Sequence, residues 1–205
     1  MEDKITSEKE SLEIISKMIQ SSKNNMQVGR GNYFLYYGYF TAILSVVLYL
    51  LIVLTRNNMW SWGWLLMFVF QFLVSYKKRQ HKSMVVTYTD KAIKQVWLAF
   101  GFMFSLTFIV LAVLGQIYGR YDFALMMPLS LLYAGLGTSI NGIIIRERWM
   151  IFSPLVAFVV AFYMLMMLTI GQPMILEWYL YLGFSFVVMQ IIPGHILNRK
   201  AKRQC

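Results

Sequence analysis

The sequence holds one cysteine, Cys205, and two histidines, His81 and His195. A lone thiol forms no intrachain disulfide, so a disulfide-stapled fold is excluded. These three residues lack the spacing of a Cys/His metal site, and no metal or other cofactor is expected. Glycine-rich phosphate loops are absent. Charge is scarce too: 14% of residues are charged, against roughly 25% in an ordinary globular domain. A soluble fold of 205 residues has too much surface for so few charges. Aromatic residues make up 17%, which rules out a solvated, disordered coil.

What the chain has in excess is apolar: 59% hydrophobic residues and a mean hydropathy of +0.57. A transmembrane helix needs about 20 apolar residues to cross ~30 Å of hydrocarbon. Six stretches are predicted to do so, at 33–55, 59–76, 96–118, 123–145, 149–170 and 174–197. Only the last contains a charge, Glu177 near its start. Arg56-Asn57-Asn58, Gly119-Arg120-Tyr121-Asp122, Arg146-Glu147-Arg148 and Gly171-Gln172-Pro173 punctuate the runs. A β-barrel would show alternating segments of about ten residues instead. The expected fold is all-α: a polytopic membrane protein of six transmembrane helices in three hairpins. Residues 1–30 form a cytoplasmic amphipathic segment, 33–197 the membrane domain and 198–205 a basic tail.

A net charge of +10 would suit a nucleic-acid binder, but the placement of the charges says otherwise. Of the 19 Lys and Arg, all but Arg56 and Arg120 fall in the N-terminal segment, the loops after spans two and four, and the tail. Cationic loops stay cytoplasmic, so both termini are expected there. The excess is a topology signal, and no nucleic-acid partner is expected. The first 30 residues show no secretory signal, and no lipidation motif occurs.

Residues 7–27 read as an amphipathic helix, opened by a capping box of Ser7 and Glu10. Ile5, Leu12, Ile19 and Met26 recur every seven residues, with Ile15 and Met18 widening the stripe. The segment is electrically balanced, whereas helices gripping anionic lipid are basic. Leu12, Ile15, Met18, Ile19 and Met26 are therefore candidates for protein contact, with the chain's own bundle, a second copy or a cytoplasmic partner, in preference to the alternative of lying on the membrane.

A shift of 52 residues aligns Trp97 with Trp149, Phe100 with Phe152, Gly119 with Gly171, Ile140 with Ile192, Gly142 with Gly194 and Ile144 with Ile196. This suggests a tandem of helical hairpins related by an axis along the membrane normal.

Ionisable residues within a membrane are the usual pointer to function, and these spans hold essentially none. Ion-coupled transport and proton relay are thereby weakened. Gly137-Thr138-Ser139 with His195 suggests an intramembrane serine peptidase only superficially, because the small residues are better read as a packing face. The chain is expected not to be an enzyme. Its candidate polar cluster is Thr138, Ser139 and Asn141 in span four with Gln190 and His195 in span six, and Gln71 lies in span two. Pro193, beside Gln190, removes a backbone donor and frees a carbonyl. Asn141 is expected to face the bundle and to hydrogen-bond to span six, near Gln190 or His195, or to an exposed carbonyl.

The segments Ser11-Leu12-Glu13-Ile14-Ile15-Ser16-Lys17-Met18-Ile19, Phe34-Leu35-Tyr36-Tyr37-Gly38-Tyr39 and Ile192-Pro193-Gly194-His195-Ile196-Leu197 resemble those of uncharacterised six-span integral membrane proteins of the Bacteroides group. Tyr37 stands where that pattern has tryptophan. The resemblance implies a bacterial inner-membrane location and transfers no site residues. Two functions remain open: a non-enzymatic scaffold or sensor acting through the cytoplasmic face, and a small transporter or channel for a neutral or apolar solute.

Cys205, as the only thiol, reports orientation directly. A membrane-impermeant maleimide is expected to miss it in intact spheroplasts and to label it once the membrane is opened. Labelling of intact spheroplasts would reverse the topology.

Overall fold

The computed structural model describes residues 12–14, 16, 30–80, 88–119, 121 and 123–203. Helix accounts for 88% and no strand occurs among the described residues, as the all-α expectation required. The helices are α1 (Arg30–Thr55), α2 (Leu66–Gln80), α3 (Tyr88–Tyr118), α4 (Met126–Ile145), α5 (Arg148–Phe152), α6 (Leu155–Thr169), α7 (Trp178–Phe186) and α8 (Ile192–Arg203). A 3₁₀ segment, Asn58–Leu65, leads into α2, and a π turn, Val187–Ile191, joins α7 to α8. Five stretches are long and apolar enough to cross a membrane: Phe34–Thr55, Lys91–Tyr118, Met126–Ile145, Arg148–Thr169 and Trp178–Lys200.

The second expected span differs from the others. It opens in the eight-residue segment Asn58–Leu65, capped by the Asn57 side chain on the Met59 N–H at 2.9 Å, which is 3₁₀ rather than α. A 3₁₀ helix rises about 2.0 Å per residue instead of about 1.5 Å. The short segment therefore reaches further than an α-helix of equal length.

Positive-φ residues end four helical runs: Arg56, Gly119, Arg146 and Gly171. At the end of α4 the cap is a Schellman motif. Glu147 N–H donates to Gly142 O at 2.9 Å and Arg146 N–H to Ile143 O at 3.2 Å.

Packing runs in a row. The last span (α7, the π turn and α8) lies along α1; α6 packs on α7; α4 packs on α5 and α6; α3 packs on α4. The flanking helices are held largely by aromatic contacts. Phe70 of α2 stacks on Phe40 with centroids 4.1 Å apart. On the far side, Phe100 and Phe104 of α3 meet Tyr133, whose hydroxyl lies 2.9 Å from Thr107 Oγ1. The contacts Phe100–Tyr133 and Phe108–Phe123 make α3 and α4 antiparallel. Phe40–Phe70 and Thr41–Met67 do the same for α1 and α2. The contacts Asn32–Asn198 and Glu147–Lys200 bring the start of α1, the end of α4 and the end of α8 to one end of the bundle.

The 52-residue repeat is not matched by its surroundings. Trp97 and Phe100 are partly buried against Gly137, whereas Trp149 and Phe152 are 59% and 62% exposed. Gly119 and Gly171 do play the same part, each ending a helix at positive φ. Of the expected N-terminal stripe, Leu12 is described and exposed; Ile15, Met18, Ile19 and Met26 lie outside the described residues.

Glycines decide how close the core helices come. A Cβ on Gly142 would sit 2.7 Å from Ile151 N and 2.8 Å from Met150 C, which are backbone atoms that cannot yield. At Gly101, nothing lies within 4 Å. Gly142→Ala is expected to destabilise by about 1–3 kcal/mol through overpacking. Gly101→Ala should shift stability by less than about 1 kcal/mol. Thermal unfolding in detergent checks the contrast, and equal effects would refute the packing described here.

Candidate functional site

The expected polar residues are set by the register of α4 and the distortion of the last span. Along α4, Gly135, Ser139 and Gly142 share a face, on which Gly135 meets Phe158 and Pro154 while Gly142 meets Met150 and Ile151. Ser139 Oγ donates across this contact to Ile151 O at 3.2 Å. Thr138 is buried and donates to Ala134 O of its own helix at 2.8 Å. Tyr133, Gly137 and Asn141 form the neighbouring row, and the first two meet α3.

Asn141 has no exposed surface, so it faces the bundle as the sequence suggested. The expected hydrogen bond is not formed: among the described residues neither Nδ2 nor Oδ1 has a partner. Burial of an unpaired amide is costly, which makes this the least satisfied point described in the bundle.

Across the core, Pro193 shapes the last span. A proline cannot donate to the carbonyl four residues back, here Met189 O, and its ring crowds that carbonyl. The helix widens just before it, with Ile192 N–H bonding to Val187 O five residues earlier. Ser153, at the break before Pro154, donates to the freed Met189 O at 3.4 Å, a long bond. Gln190, in the π turn, is 2% exposed, and its Oε1 has no partner among the described residues. It packs where Gly38 of α1 leaves room, its Cβ lying 3.1 Å from the position a Gly38 Cβ would take.

His195 stands apart. It is exposed, and its Nε2 lies 2.7 Å from the Tyr39 hydroxyl of α1. Ser139 and His195 are thus committed to different partners and do not form a nucleophile–base pair. Gln71 accepts from the Tyr37 hydroxyl. Among the described residues, no group of three or more His, Cys, Asp or Glu gathers at one point.

Sequence reasoning missed several polar contacts. Glu147, 8% exposed, takes Lys200 Nζ at 2.6 Å and ties the end of α4 to the end of α8. Asn198 donates to Asn32 at 2.8 Å. The Ser153-Pro154 dipeptide was a legible sign of a helix break, but nothing local says that Ser153 reaches Met189. At the opposite end of the bundle, a cavity of about 300 Å³ is lined by Tyr163, Met167, Ile170, Gln172, Pro173, Ile175 and Trp178. It contains none of the expected site residues.

Comparison with protein-family models, with curated proteins and with solved structures gives no match. The functional reading therefore rests on the geometry of the chain itself.

Removing an unpaired buried amide removes its desolvation penalty, about 1–3 kcal/mol. Asn141→Leu, of nearly equal size, is expected to raise the unfolding temperature in detergent. A marked fall would mean that the amide has a partner in the folded protein.

Proposed function

We propose that this is a six-span protein of a bacterial inner membrane, with both termini cytoplasmic. It acts without catalysis, as a scaffold or sensor working through its cytoplasmic face. The location draws on the resemblance of its three motifs, and the orientation on the bias of Lys and Arg. The extended rise of the 3₁₀ segment supports counting the second stretch as a span. The meeting of α1 and α8 at one end, through Asn32–Asn198, supports placing both termini together.

The observation that carries the scaffold reading is a closely packed centre. Leu131, Met150, Ala157, Ala161, Met164 and Met189 have no exposed surface, and glycine contacts close the helices around them. Close packing of this kind suits an element that holds or transmits a conformation. The competing reading is a small carrier for a neutral solute. It is favoured by the unpaired buried amide of Asn141 and the unpaired Oε1 of Gln190, which lie in the half of the bundle nearer its basic end.

Stopped-flow swelling of proteoliposomes distinguishes the two. The scaffold reading expects glycerol and urea to enter at the rate of protein-free liposomes. Faster entry that Asn141→Leu slows would replace it with the carrier.

A further inference from the structure

The seam between α1 and α8 carries polar side chains that the packing does not consume. On α1, Asn32, Tyr36, Tyr39 and Ile43 fall along one stripe and are all exposed. On α8, His195 and Arg199 are four residues apart, on one face, about 6 Å along the axis. Two hydrogen bonds cross the seam: Asn198 to Asn32 at 2.8 Å and Tyr39 to His195 at 2.7 Å.

Each crossing leaves donors over. If Tyr39 donates to Nε2, the other ring nitrogen of neutral His195 keeps its proton; if Nε2 donates, the tyrosine O–H is free. The Asn32 amide keeps both N–H groups, since its oxygen is the atom used. Arg199, one residue past Asn198, adds a guanidinium at the outer end of the seam. The neighbouring cation, Lys200, is spent on Glu147, whereas Arg199 is exposed and has no ion pair among the described residues. Among the other described carboxylates, Glu13 belongs to the N-terminal segment, Asp90 to the start of α3 and Glu177 to the far end of the last span. Towards the bundle centre the same seam turns apolar, with exposed Ile43 and Val47 on α1 and Ile192 and Phe184 on the last span.

A cation and several neutral donors above a continuous apolar track match one kind of molecule. We propose that the α1–α8 seam binds an anionic phospholipid of the cytoplasmic leaflet. Its phosphate lies at Arg199, Asn32 and the Tyr39–His195 pair, and an acyl chain runs along Ile43 and Ile192. Basic sites between helices on the cytoplasmic side hold anionic headgroups in this way. The leaflet, but not the binding itself, rests on the orientation proposed above.

The test uses the full chain purified in detergent and titrated with phosphatidylglycerol, phosphatidylcholine or glycerol 3-phosphate, with unfolding temperature as the readout. Phosphatidylglycerol should raise that temperature, and the other two should not. Arg199→Gln should weaken the apparent affinity about five-fold, the share of one basic residue near a membrane surface. Arg148→Gln, at an exposed arginine elsewhere on the same end, should leave it unchanged. Native mass spectrometry of the unmutated chain gives a readout independent of any variant: phosphatidylglycerol adducts should survive activation that strips phosphatidylcholine. Equal retention of the two lipids, an R199Q affinity no lower than that of R148Q, or a glycerol 3-phosphate shift matching that of the lipid would overturn the site. Outward labelling of Cys205 would overturn the orientation alone and move the lipid to the other leaflet.

Discussion

A proline inside a membrane helix leaves a carbonyl that lipid cannot hydrogen-bond, and the core of this protein is arranged around two such prolines. Pro154 and Pro193 are both fully buried. Near Pro193 the last span opens into a π turn, and Ser153, beside the other proline, reaches the freed Met189 carbonyl. One break thus supplies the donor that the other needs. The arrangement works only if the fifth and sixth segments lie side by side, so the two prolines help set which helices are neighbours.

Lipid tails are as apolar as leucine, so helix association must come from close packing and polar contacts rather than from the hydrophobic effect. The core helices use the first of these. Gly142 meets the backbone of α5, Gly135 meets Pro154 and Phe158, and Gly38 meets Gln190 and Ile191. The flanking helices use aromatic rings instead, Phe40 on Phe70 on one side and Phe100 and Phe104 on Tyr133 on the other. This division explains why α3, although the longest helix at 31 residues, is barely buried.

Polar groups in the bundle are spent unevenly. Hydroxyls close on carbonyls: Thr138 on Ala134, Ser185 on Tyr181, Ser139 on Ile151. The two buried side-chain amides are not fully paired, since an amide must place both a donor and an acceptor and needs two partners at once. Asn141 and Gln190 accordingly hold the unpaired buried atoms at the basic end. Their surroundings are quiet in charge, because Glu147 and Lys200 pair with each other and Arg199 turns outward.

Helix class and boundaries were legible in the residues, because both depend on local properties. Five of the six apolar runs reappear as long helices, four of them with ends close to those read from charges, glycines and prolines. The helix behind the third run begins earlier, at Tyr88, because a helix need not stop where hydrocarbon ends. The burial of Asn141 was also legible, from the cost of an amide in lipid. Partner choice was not. These helices are apolar on nearly every face, so periodicity does not say which face meets which neighbour. The pairing of the first helix with the last, the reach of Ser153 to Met189, the clasp of Glu147 on Lys200 and the unpaired state of Asn141 were settled only in three dimensions, where distant segments compete for the same small gaps.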